Sequence, residues 1–117
     1  MKKYFLILVL VSIALMAVGV TISSGSALCL FDVSPNPMED YTIISVGFDR
    51  MVDVNIYIED SDGTIVRTLY SGRSNKEINL NWNRVADDGS YVPNGTYRVV
   101  VSYIGRYTST KKTLILK

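Results

Sequence analysis

The chain has 117 residues, a formal net charge of +1, one cysteine and no histidine. That length holds one domain of ordinary size; the missing histidine excludes histidine acid–base catalysis, a Cys–His pair and histidine-built zinc sites, and the lone cysteine excludes zinc sites built on several cysteines. Once Lys2 and Lys3 are set aside, ten Lys or Arg face eleven Asp or Glu, a balance without the basic field that nucleic acid requires.

Residues 1–27 read as an export segment. Met1-Lys2-Lys3 is a short positive lead into residues 4–22, an apolar run interrupted only by Ser12, Gly19 and Thr21. The small residues Ser23-Ser24-Gly25-Ser26-Ala27 follow, placed for cleavage after Ser26 or Ala27. The run exceeds the about 7 to 15 residues of a signal core and is just long enough to cross a bilayer, so a cleaved signal peptide and an uncut membrane anchor both stay open. In either case the lysines hold the start in the cytoplasm and the remainder is secreted or anchored outside, touching the membrane only through this segment. Leu28 stands where a lipoprotein signal wants a small residue, which argues against a lipid on Cys29. Cys29 reads instead as a small hydrophobe near the first strand, with no internal disulfide partner.

Residues 28–117 read as one domain of short strands. Residues 28–33 are apolar enough for the first, and Ser34-Pro35-Asn36-Pro37 ends it, because proline removes ladder donors and biases the preceding residue to extended geometry. In residues 42–49, Ile44, Val46 and Phe48 alternate with Ile43, Ser45 and Gly47, giving a strand buried mainly on the first face. Val52, Val54, Ile56 and Ile58 then alternate with Asp53, Asn55, Tyr57 and Glu59, core on one side and water on the other. Asp60-Ser61-Asp62-Gly63 is a tight turn, and residues 64–70 return as a hairpin partner with Ile65, Val66 and Leu69 as packing residues. Residues 71–75 read as a polar loop. Ile78, Leu80 and Trp82 form a fifth strand with Trp82 at the core's centre.

Between Trp82 and Tyr97 lies a double turn. Gly89 and Gly95 supply tolerance of positive φ, and Pro93 presets the second bend. Such a connection suits a chain that leaves one sheet on a buried Trp and enters the other on a buried Tyr. Tyr97, Val99, Val101 and Tyr103 form the core face of a sixth strand, with Tyr97 placed as a tyrosine corner whose hydroxyl bonds upstream backbone. Residues 104–107 turn the chain into a last strand over 108–117, where Leu114 and Leu116, or their neighbour Ile115, pack inward. Lysines 111, 112 and 117 discourage edge pairing there. Seven short strands without helical periodicity make an all-β sandwich.

The ordered fragments Ser34-Pro35-Asn36-Pro37, Val54-Asn55-Ile56-Tyr57, the run from Asp62-Gly63-Thr64 through Leu69, Trp82-Asn83, Asp87-Asp88-Gly89 and Pro93-Asn94-Gly95-Thr96-Tyr97 resemble the Ig-like domain of flagellar hook-assembly (FlgD-type) proteins. In that family the Trp is usually followed by Asp-Gly, whereas Asn83-Arg84 stands here, a departure confined to the turn after the fifth strand. The resemblance implies a seven-stranded Ig/fibronectin-III-like β-sandwich that is not an enzyme and serves an exported protein. A flagellar role does not carry over, because an export segment stands where the hook protein's partner-binding segment precedes its Ig-like domain. A fainter similarity is to type IX secretion sorting tails, which also begin near Pro-Asn-Pro and finish on a Lys-rich strand.

No catalytic, cofactor or metal residues are expected. Asp60-Ser61-Asp62-Gly63 and Asp87-Asp88-Gly89 resemble calcium-loop fragments, yet neither continues to a closing Glu, and turn chemistry explains both. Asn94-Gly95-Thr96 fits the N-glycosylation pattern as well as a turn. Tyr41, Tyr57, Tyr70, Tyr91, Tyr103 and Tyr107 are more tyrosine than the core can use, and exposed ones could anchor a protein or stack on sugar rings. The expected role is a structural or interaction module of the cell envelope with another envelope or appendage protein as partner. A carbohydrate-binding module using exposed tyrosines and a free-standing sorting or anchoring domain are the alternatives.

Overall fold

The computed structural model describes residues 27–103 and 109–117. Residues 1–26 of the export segment, the turn at 104–107 with Tyr107, and Thr108 at the start of the expected last strand lie outside the described residues. Seven strands form the domain: β1 (Leu28–Ser34), β2 (Thr42–Phe48), β3 (Val52–Glu59), β4 (Ile65–Ser74), β5 (Ile78–Trp82), β6 (Gly95–Tyr103) and β7 (Thr110–Leu116). They lie in two antiparallel sheets, one in the order β1-β2-β5 and one in the order β4-β3-β6-β7. β5 and β6 therefore sit in different sheets, and the chain crosses between them from Trp82 to Tyr97.

Period-2 alternation decides what each sheet buries. Ile44, Val46 and Phe48 of β2, Val54, Ile56 and Ile58 of β3, Val99 and Val101 of β6, and Leu114 and Leu116 of β7 all face one core with Trp82 and Tyr97. Ile115, between the two buried leucines, is exposed. Phe48 and Tyr103 meet edge to face at 5.5 Å, a favourable aromatic geometry. Lys112 pairs in register with Val99, a core residue, and its ammonium lies 5.6 Å from the Phe31 ring centroid of β1. That inward-leaning charge joins the two sheets at one seam while spoiling the β7 edge for a stray partner.

Two expectations from the sequence need correction. β4 does not stop at residue 70: it runs to Ser74, because β3 begins at Val52 and pairs Val52, Asp53 and Val54 with Ser74, Arg73 and Gly72. Ile65 does not pack inward but is 52% exposed, while Val66 and Leu69 lie against the core. Register shifts between Ile56 and Tyr57, and between Ile58 and Glu59, break the simple alternation along β4. Leu80 packs against the core while staying half-buried on the edge strand β5. Cys29 is exposed, at a shift in the β1–β2 register.

Val100 adds a buried residue on the face that reads as mixed. It is fully buried between its register partners Tyr57 and Lys111, whose long amphipathic side chains can cover it.

Candidate functional site

The loop from Trp82 to Tyr97 organises one end of the sandwich. Trp82 is 2% exposed, and its indole N–H donates to Val85 O at 3.0 Å. The Tyr97 hydroxyl donates to Pro93 O at 2.9 Å, so Tyr97 forms a tyrosine corner with its ring on the core. Gly63 and Gly89 take φ of +86° and +87°, the left-handed turn positions their sequences call for. Pro93 and Gly95 lie exposed, with Gly95 opening β6.

Arg84 is the residue that sequence reasoning passed over. It is 3% exposed and carries φ +67°, a left-handed backbone that costs a non-glycine residue about 1 kcal/mol or more. Its guanidinium offsets this by satisfying acceptors that the loop would otherwise bury. Nε and Nη2 donate to Val92 O at 3.1 and 2.9 Å, and Nη2 donates to Asn94 Oδ1 at 2.8 Å. Nη1 donates to Glu39 O at 2.9 Å and Lys117 O at 3.2 Å. One planar cation thus ties the inter-sheet loop, the segment before β2 and the end of β7 together. Asn94, the residue of the glycosylation pattern, has its side-chain carbonyl committed to this hub.

On the solvent side of the hub lies Tyr91, its ring centroid 4.7 Å from Arg84 Cζ. Tyr91 is 66% exposed, yet its backbone is held by a bridge to Val85. Glu39 and Lys117, whose backbone carbonyls accept from Arg84 Nη1, line a cavity of about 360 Å³ together with Pro35, Pro37, Asp40 and Tyr41. Tyr41 is also exposed, so one end of the sandwich gathers both exposed tyrosines among the described residues. Tyr57 and Tyr70 are half-buried and Tyr103 is buried, so the five of these tyrosines that are described do not share a platform.

The segment ahead of β2 does more than end a strand. Asn36 Nδ2 donates to Thr113 O at 2.7 Å, and Ile115 N donates to Asn36 Oδ1 at 3.1 Å, so a side-chain amide takes the place of a ladder partner on β7. Met38 N donates to Ile115 O and Lys117 N donates to Met38 O, continuing that ladder. The Thr42 hydroxyl, fully buried, donates to Pro35 O at 2.8 Å.

The acidic turns are internally satisfied. Asp60 Oδ1 accepts from Asp62 N and Thr64 N, and Asp88 Oδ1 accepts from Ser90 N and Oγ. The Ser90 hydrogen bonds hold the Asp88 carboxyl below its ordinary range. Among the described residues no three His, Cys, Asp or Glu side chains gather where a metal ion could sit. Glu59 is the buried acid: Arg98 Nε lies 2.6 Å and Lys111 Nζ 3.0 Å from Oε2. Burial pushes its carboxyl up, but the hydrogen bonds and charges of Lys111 and Arg98 outweigh it and leave the group below its ordinary value. Arg98 also donates to Asp60 O, which fastens the β3–β4 turn to β6.

A family profile described as the FlgD Ig-like domain matches residues 38–106, from the β7-pairing Met38 through both turns and the tyrosine corner. The chain belongs to the FlgD Ig-like domain family. Within that family's pattern, Arg84 occupies the place of the usual glycine after Trp and keeps a left-handed backbone there. PorU of Porphyromonas gingivalis, in its dimeric latent form, superposes on this FlgD Ig-like domain with a TM-score of 0.60 at 18% identity, covering 74% of this chain and 9% of PorU. That likeness shows a shared fold. PorZ of the same organism, described as an essential bacterial surface component of the type-IX secretion system, aligns with a TM-score of 0.49 at 25% identity over 74% of this chain and 11% of PorZ. The chain thus spans about a tenth of either protein's length. No curated protein matches it.

Proposed function

We propose that this FlgD Ig-like domain is a non-enzymatic module exported by residues 1–27, whose sandwich, residues 28–117, engages another envelope or appendage protein through the Arg84 end. The observation that carries the reading is Tyr91, 66% exposed while fixed against a guanidinium that is itself almost wholly buried. An aromatic held in place before binding loses little conformational freedom when a partner covers it. Tyrosine is among the residue types that dominate protein interfaces, and here the buried Arg84 braces it from beneath.

A photo-crosslinking amino acid placed at position 91 of the full chain tests this in an envelope fraction. The expected result is a discrete adduct from position 91 and from position 41, with none from Ile43 on the outer face of the three-stranded sheet. Equal yields at 43, or no adduct at 91, would overturn it. The mass of the mature protein separates cleavage from retention of residues 1–27, and recovery of the domain from the cytoplasmic fraction would refute export.

A further inference from the structure

We propose that the outer face of the four-stranded sheet carries a second site, a trough across β6, β3 and β4 that takes a neutral oligosaccharide. The trough measures about 430 Å³ and is lined by Asp53, Asn55, Ser71 and Ser102, with Val54, Gly72 and Tyr103 completing it. Its volume falls within the roughly 300–1,000 Å³ of small-molecule sites. Register explains its position, since Asn55 pairs with Ser102 on one side and Ser71 on the other. A row of small polar side chains across three strands leaves space that bulkier residues would fill.

Chemistry selects the ligand class. Ser71 Oγ donates to Asn55 Oδ1 at 2.7 Å, which leaves the Asn55 Nδ2 donors for the trough and the Ser71 lone pairs as acceptors. Donors and acceptors side by side match the vicinal hydroxyls of a sugar. Asp53 forms an ion pair with Arg73 at 3.5 Å, so no net charge is offered to an anion or a cation. Tyr57 stands one same-face step along β3, roughly 7 Å from Asn55, and is half-buried, placing an aromatic beside the polar row. This inference draws nothing from the Arg84 end.

Titrating the isotopically labelled full chain with maltotriose, cellotriose and chitotriose at millimolar concentration, with amide shifts as readout, tests the site. The expected result is saturable shifts from at least one trisaccharide, centred on the Asn55 side-chain amide, Ser71, Gly72 and Ser102. Asn55→Ala is expected to weaken that binding about five- to tenfold, with Trp82 fluorescence unchanged. No saturable shift from any of the three, shifts centred on Tyr41 and Tyr91, or an Asn55→Ala protein that titrates like the parent would each overturn the proposal. Should Asn55→Ala fail to fold, the shift map of the parent chain decides alone.

Discussion

Arg84 shows how one side chain can take over a backbone requirement. Its position asks for left-handed φ, which glycine meets freely, and the arginine meets it at a cost while bonding four buried or half-buried acceptors. Arg84→Ala keeps the strained backbone and strands those acceptors, whereas Arg84→Gly relieves the strain. Both variants should lose stability, with the alanine form worse by about 1 kcal/mol in urea denaturation. Tyr97→Phe should cost about 1 kcal/mol by the same measurement, through the lost bond to Pro93 O. Glu59 sets a pH dependence. Its folded pKa lies below the unfolded value of about 4.3, so its contribution is complete above that pH and is lost as pH falls through the folded value. The melting temperatures of the parent and Glu59→Gln should therefore differ most above about pH 5 and converge in acid. Neither residue announces itself in sequence: Glu59 falls on a wet strand position, and only Arg84's departure from the family's Asp-Gly marks it.

At the scale of elements, edge protection decides how the strands are finished. β7 would be an open edge, but Asn36 and Met38 pair with it from Thr113 to Lys117. β4 is covered along its first half, where Asp87 N donates to Val66 O and the Asp87 carboxylate accepts from Thr68 N. Turn-forming stretches thus serve as edge covers. Asn36→Ala should cost about 1 kcal/mol and should speed hydrogen exchange at the Ile115 amide while leaving β3 amides unchanged. Exchange at Ile115 as slow as in the parent would show that the side-chain amide is not the ladder partner. Strand identities were legible because alternation marks β2, β3 and β5 and the buried ends of β6 and β7, whereas β4 lacks it. The end of β4 was not, because residues 71–74 are polar and glycine-containing, and only their pairing with β3 makes them a strand.

At the scale of the molecule, two sheets close on one indole. Trp82→Ala should lose about 3 to 5 kcal/mol from lost burial and the cavity left behind, and the folded parent should show a blue-shifted Trp emission that moves red only through the unfolding transition. Emission at the solvated wavelength in the native protein would refute the packing. Sequence by itself determined the all-β class, the core face of nearly every strand and the Trp-to-Tyr crossing, because period-2 burial and turn chemistry are local properties written residue by residue. Tertiary structure alone decided that Arg84, Tyr91, Tyr41 and the Pro35–Pro37 segment meet at one end, and that Ser102, Asn55 and Ser71 line one trough. Those groupings depend on register and on the crossing between sheets, which bring together residues far apart in the chain, and no local pattern encodes that distance.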